Sequence, residues 1–182
     1  MLPTLETARL ILRPFTLADA PTVKLLAGDH DLASTTMNLP HPYPEGAAET
    51  WIATHTEKFE QGTLAALAIT LRPADELIGA ISLGINQAHR RAELGYWLGK
   101  PWWNQGYMTE AARALIGCGF ETFNLNRISA QHFVRNPASG RVMQKLGMTY
   151  EGCLRQAMLK WDRFEDLMCY AILREDWNAA QH

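Results

Sequence analysis

WWNQGYMTEA, residues 102–111, follows an apolar run ending in GYWLG (Gly95–Gly99) and opens a long helical pattern. A single glycine, Gly106, therefore stands where a strand hands over to a helix. The backbone N–H groups in the first turn of a helix have no internal partners, so those of Asn104 to Met108 can converge on an anion. Glycine removes the Cβ that would block a close approach, and successive N–H groups in such a turn form an anion-binding nest of a size that suits pyrophosphate. The same glycine can equally do no more than make the turn. No GK[ST] follows, so this is not a Walker loop, and the absence of GxGxxG excludes a dinucleotide fingerprint.

Downstream of this loop Met108, Ala111, Ala112, Leu115, Ile116, Phe120 and Phe123 keep the i, i+3, i+4, i+7 spacing of a helix with one apolar face. Upstream, Ala92–Gly99 reads as a strand, preceded by two apolar runs, Leu64–Leu71 and Leu77–Ile85, at hairpin spacing across RPADE. Near the start Arg9–Phe15 reads as a strand, and Thr16-x-x-Asp19 as a capping box that opens a helix through Val23, Leu25 and Leu26. Three prolines in MNLPHPYP (37–44) forbid helix or central strand there, so this loop separates the first helix from one carrying Trp51, Ile52, His55 and Phe59 on one face. Beyond the long helix, Arg127–Val134 is a strand and Asn136-Pro137 an N-cap followed by proline at the first helical position. Gly147 ends that helix, and strands around Thr149–Arg155 and Leu167–Leu173 complete the order β-α-α-β-β-β-α-β-α-β-β. The fold class is α/β of the α+β kind.

Composition narrows the function. The 182 residues, 47% hydrophobic, suit one domain over residues 1–182. Seventeen basic against nineteen acidic residues give a net charge of −2, so no overall field draws nucleic acid or an anionic membrane, and any anion must be held locally. Three cysteines without a CxxC pair suit a reducing compartment. Without a leader pattern or 18 uninterrupted apolar residues, a soluble cytoplasmic protein is expected. The six histidines show no ligand spacing, so no metal is expected.

A second strand-to-helix junction, Arg135-Asn136-Pro137-Ala138-Ser139, lies thirty residues beyond Gly106. Taken alone Asn136 is an N-cap and Ser139 a first-turn residue. If the two strands are adjacent, both helix N-termini share one edge of the sheet, and that edge is a cleft.

With these junctions in place the chain resembles the GNAT N-acetyltransferase superfamily, in its Rim-like branch that acetylates N-terminal amines of ribosomal proteins. The resemblance runs through ETARLILRPFTLAD, LPHPYP, IGAISL, AELGYWLGKPWWNQGYMTEA, NRISAQHFVRNPASGRVMQKLGMTYEG and DLMCYAILREDW. It implies a single GNAT domain: a central mixed, mostly antiparallel sheet of about seven strands, splayed at the CoA cleft and flanked by about four helices. It also implies acetyl-CoA as cosubstrate. The pyrophosphate signature Gln/Arg-x-x-Gly-x-Gly/Ala falls on Trp103-Asn104-Gln105-Gly106-Tyr107-Met108, with Trp103 in the polar first position and Met108 in the small last one.

Acetyl transfer from a thioester to an amine requires a held thioester, a neutral amine, a stabilised oxyanion and a proton for the leaving thiolate. By resemblance the pantetheine arm pairs with Gly95-Tyr96-Trp97-Leu98, with the Leu98 N–H near the oxyanion; Tyr96 and Trp97 can also be core aromatics. Asn136 matches the asparagine that bonds the pantetheine arm, Ser139 the position that protonates the thiolate, and Arg141 and Lys145 are placed for CoA's distal phosphate. Glu93 is the candidate base, or an exposed strand carboxylate, and His132 is a second base candidate or a structural histidine. The acceptor implied is a protein N-terminal amine, such as that of a ribosomal protein. The alternatives are a free small amine, or a CoA-binding sensor without catalysis. Acceptor choice would lie in two loops, MNLPHPYP and Met158–Asp166. Monomer and homodimer are both open.

Overall fold

The protein is described from a computed structural model over residues 2–180. Eight strands form one sheet: β1 (Leu5–Glu6), β2 (Leu10–Arg13), β3 (Leu64–Leu71), β4 (Glu76–Asn86), β5 (Arg91–Leu98), β6 (Arg127–Phe133), β7 (Thr149–Lys160) and β8 (Arg163–Leu173). Their spatial order is β1-β2-β3-β4-β5-β6-β8-β7, and every neighbouring pair is antiparallel except β5–β6. The helices are α1 (Ala20–Ala27), α2 (His30–Thr35), α3 (Ala47–Ala53), α4 (His55–Glu60), α5 (Tyr107–Glu121), α6 (Pro137–Lys145) and α7 (Arg174–Ala179).

The mixed, mostly antiparallel sheet agrees with expectation; the counts differ. The two-residue β1 adds an eighth strand, and the two expected N-terminal helices are four short ones. The Asp29 carboxylate explains one division: it accepts from the Leu32 N–H at 3.0 Å and so starts α2 afresh after Gly28. The segment 158–166 is not a loop. It is the tip of the β7–β8 hairpin, where Trp161 and Asp162 take φ of 48° and 62°, the left-handed pair that a tight two-residue turn requires.

Each sheet face carries its own core. On one, α5 and α6 bring Leu115, Ile116, Phe120 and Met143 onto Leu83, Leu94, Ile128 and Ala130. Gly119 lets α5 lie close, because a Cβ there would stand 2.9 Å from Ile128 Cδ1. On the other face α1 and α3 place Val23, Ala27 and Ile52 over Ala68, Ala80 and Trp97. The expected capping box forms: Asp19 accepts from the Thr16 N–H at 2.8 Å and takes Arg13 in a fork at 2.9 and 2.9 Å.

His55 is buried between Phe15 and Trp51, and neither ring nitrogen has a hydrogen-bond partner. Burial, with Lys58 nearby, pulls its pKa down to about 4. Between that value and the unfolded value of about 6.5 the unfolded chain binds the proton and the folded one does not, so stability present above the upper value is lost as pH falls through the window. Acidification from pH 7 to 5 is expected to cost about 2 kcal/mol through this residue. Denaturant titrations of wild type and His55→Leu check it: the variant should lack that slope, and an unchanged slope would assign it to other groups.

Candidate active site

The site begins where two strands part. Strands β5 and β6 pair only at Arg91↔Arg127, Ala92↔Ile128 and Glu93↔Ser129, yet β5 continues to Leu98 and β6 to Phe133. On its other edge β5 stays paired with β4 as far as Gly79↔Leu98. The Gly99 N–H donates to Ile78 O at 2.8 Å, which makes that pair hydrogen-bonded and, by antiparallel alternation, turns the peptide groups of Tyr96 and Leu98 away from β4. Their amides face the gap. Trp103, from the loop beyond, donates Nε1–H to Leu98 O at 2.6 Å and packs against both cores, so it braces the end of the gap.

Around the gap lies a cavity of about 660 Å³, with Glu93, Tyr96, Leu98, His132, Asn136 and Ser139 among its lining residues. The Tyr96 hydroxyl stands 2.7 Å from Ser139 Oγ, joining β5 to the first turn of α6. Burial pushes the phenol up to about 12 against the opposing hydrogen bond with Ser139, so Tyr96 stays protonated at any working pH. Asn136 accepts from the Ser139 N–H at 3.3 Å and donates to Thr35 O at 3.4 Å, so its amide caps α6 and reaches α2. His132 is buried, with Nδ1 2.8 Å from Phe133 O and Nε2 without a partner. A Cβ at Gly140 would stand 2.7 Å from that nitrogen, so the ring lies close under α6. Arg141 and Lys145, both exposed, line the cavity from α6. Trp97 is buried in the second core.

Gly106 caps α5 with φ +83°, and Asn104 two residues earlier is also left-handed at +61°. Of the two reasons that the sequence left open, the turn is the one the backbone carries: a positive φ excludes other residues, and a Cβ at Gly106 would stand 3.4 Å from Arg9 Nη2. Trp103, Asn104, Gly106 and Met108 line the cavity, while the Gln105 side chain bonds back to Pro101 O and Tyr107 lies under the Arg9 guanidinium at 4.4 Å.

Arg9 is a residue that sequence reasoning missed. From the β1–β2 turn it donates to Gln105 O at 3.0 Å and to Glu110 at 2.7 Å, while Glu110 also accepts from the Arg9 N–H at 2.9 Å and Thr7 Oγ at 2.7 Å. Burial alone would raise the Glu110 pKa; the bonds from Thr7 and Arg9 outweigh it and hold the carboxyl below its usual value. ETARL and MTEA could have signalled this pair, but nothing in the chain says that segments a hundred residues apart meet. Replacing Gly106 with Val should raise the Kd for acetyl-CoA at least tenfold, since left-handed backbone costs an L-residue about 1–2 kcal/mol and more when β-branched. Arg9→Ala should raise it severalfold, and Gln105→Ala little. Calorimetric titration checks the order; a Gln105 effect above that of Gly106 would refute it.

Glu93 lies on the opposite face of β5 from Tyr96, at the last paired position before the gap, with its side chain exposed. The carboxylate and the Ser139–Tyr96 pair thus stand on the two sides of the opening. No group of three or more His, Cys, Asp or Glu among the described residues is arranged to hold a metal, and no described helix is long and apolar enough to cross a membrane.

Residues 9–149 match the family model described as "Acetyltransferase (GNAT) domain". The chain is 33% identical over 175 residues, 96% of its length and 98% of the relative's, to the uncharacterized N-acetyltransferase YoaA of Bacillus subtilis (strain 168). Over 98 residues, 53% of this chain and 55% of the relative, it is 39% identical to the ribosomal-protein-serine acetyltransferase of Escherichia coli (strain K12). The crystal structure of a GNAT-family acetyltransferase from Bacillus anthracis superposes with a TM-score of 0.84 at 26% identity, covering 95% of this chain and 99% of that one. RimL, an L7/L12 alpha-N-protein acetyltransferase in complex with coenzyme A, superposes with a TM-score of 0.87 at 21% identity over 94% and 98%, a likeness of fold.

Proposed function

Since the chain belongs to the GNAT acetyltransferase family and is an acetyl-CoA-dependent N-acetyltransferase, we propose that its acceptor is the N-terminal amine of a polypeptide, of the ribosomal-protein type. The observation that carries this reading is the parting of β5 and β6 just past Glu93↔Ser129, which leaves an open gap with one carboxylate on its far side. The residues present fit acetyl-CoA. Free amides of Tyr96 and Leu98 suit the pantetheine arm and the oxyanion, the N-terminus of α5 suits pyrophosphate, and Arg141 and Lys145 suit the distal phosphate.

Acetyl-CoA supplies the activated acyl carbon; a C–N bond forms there as the C–S bond breaks. Glu93, directly or through water, takes the proton that the amine sheds. The Ser139 hydroxyl, held by Tyr96, provides a proton for the sulfur. An α-amino group, with a reference pKa of about 7.7–8.0, is already partly neutral at pH 7, so a solvent-exposed carboxylate suffices as base. Relatives named for ribosomal-protein acetylation, among them the [Ribosomal protein uS5]-alanine N-acetyltransferase of Escherichia coli (strain K12), 27% identical over 139 residues, support a polypeptide as acceptor without fixing its first residue. The test incubates the protein with acetyl-CoA and either N-terminal peptides or small amines while free thiol is followed. Thiol release with peptides is expected; release with small amines alone would reassign the acceptor, and CoA binding without release would make the protein a sensor.

A further inference from the structure

The chamber on the α1/α3 side of β5 is chemically uneven. Side chains of Glu93 and Trp97 share that face about 13 Å apart along the strand, and Gly95 between them leaves the floor bare opposite Ser82. Away from Glu93 the chamber is mainly apolar, with Val23 and Ala27 from α1, the Tyr43 ring from the proline-rich loop, Ala47 and Trp51 from α3 and Trp97 beneath, while Thr35, Thr36 and Asn38 add uncharged polar groups to the cavity lining. Among the described residues lining the cavity Glu93 is the one carboxylate, and the cations Arg141 and Lys145 both stand on α6, across the sheet.

Resting on the reading that the acceptor amine lies at Glu93, we infer that this chamber is a side-chain pocket selecting an acceptor with one amine, a bulky apolar group beside it and no neighbouring carboxylate. An N-terminal leucine, methionine or phenylalanine meets that description. Such a side chain covers Trp97, Trp51 and Val23 and brings no polar group of its own that needs a partner. A polyamine would bring a second ammonium into a chamber whose one carboxylate is already engaged. A free amino acid would set its carboxylate beside Glu93, with no cation among the described residues that line the cavity on that face to offset the repulsion. The size of an apolar group in such a pocket changes kcat/KM by about 10- to 200-fold.

The experiment measures kcat/KM for otherwise identical peptides starting with Gly, Ser, Ala, Leu, Met or Phe, and for phenethylamine, spermidine and free leucine. Leu-, Met- and Phe-starting peptides should exceed the Gly-starting one at least tenfold, and spermidine and free leucine should be the poorest. Phenethylamine separates recognition of an apolar amine from recognition of a peptide. In Ala47→Leu, which fills part of the chamber, the Leu-over-Gly preference should fall at least fivefold. Gly-, Ser- or Ala-starting peptides as good as the large ones, a lead for spermidine, or an unchanged preference in Ala47→Leu would overturn the inference while leaving N-terminal acetylation intact. Turnover of none of these acceptors, with acetyl-CoA bound, would overturn both readings.

Discussion

Ser139→Ala is expected to lower kcat about 100-fold, with a far smaller rise in the KM for acetyl-CoA. A proton delivered to a departing thiolate matters in the transition state and little in the bound ground state, and a positioned acid is worth about 10²–10⁴-fold. A serine hydroxyl is a poor acid in water; the Tyr96 hydroxyl at 2.7 Å holds its Oγ in place, and water must return the proton it gives up. Tyr96→Phe keeps the ring and removes that hydroxyl, so it should show the same kcat-weighted pattern at smaller size. Steady-state kinetics of both variants decide the assignment. Full turnover in Ser139→Ala together with a large loss in Tyr96→Phe would transfer the acid role to the phenol, which burial keeps protonated. Asn136→Ala should behave differently. It removes the cap of α6, worth about 1 kcal/mol, and the bridge to Thr35, so cofactor affinity and stability should fall with turnover.

The second large effect is conditional on pH. Glu93→Gln removes the one carboxylate among the described cavity-lining residues and should slow acetylation of an N-terminal amine most at low pH, by about 100-fold at pH 6. The deficit should shrink above pH 8, where the amine, with a pKa of about 7.7–8.0, has lost its proton to solvent. For a lysine-like acceptor near about 10.4 the deficit should persist well above pH 8. Paired pH–rate profiles on a peptide and on a lysine-like amine measure this. A Gln variant equal to wild type at every pH would leave Glu93 as a surface carboxylate at a sheet position, and the base would then be water.

Local chemistry was legible wherever it repeats over short distances. The apolar spacing of residues 108–123 makes α5, Thr16 and Asp19 make their capping box, and Asn136-Pro137 starts α6. Gly106 could be read as the handover into α5, and of the two reasons the sequence left open, its left-handed φ carries the turn-making one, with a Cβ standing 3.4 Å from Arg9 Nη2. The short helices α2, α4 and α7 carry six residues each, too few for a period to stand out. The tip of the β7–β8 hairpin was masked by charged and aromatic residues at its turn.

Propensity, periodicity and capping act within a few residues, so the sequence by itself determined the strand and helix order, the glycine turn into α5 and the family likeness. Tertiary structure alone decided that β5 and β6 part after three residue pairs, that Tyr96 meets Ser139, that Asn136 also reaches Thr35, and that Arg9 fastens the loop before α5. Each of these joins residues 36 to 101 positions apart, as between Ala92 and Ile128 or Arg9 and Glu110. Such contacts depend on which elements the sheet sets side by side, and no short-range pattern in a single chain encodes that.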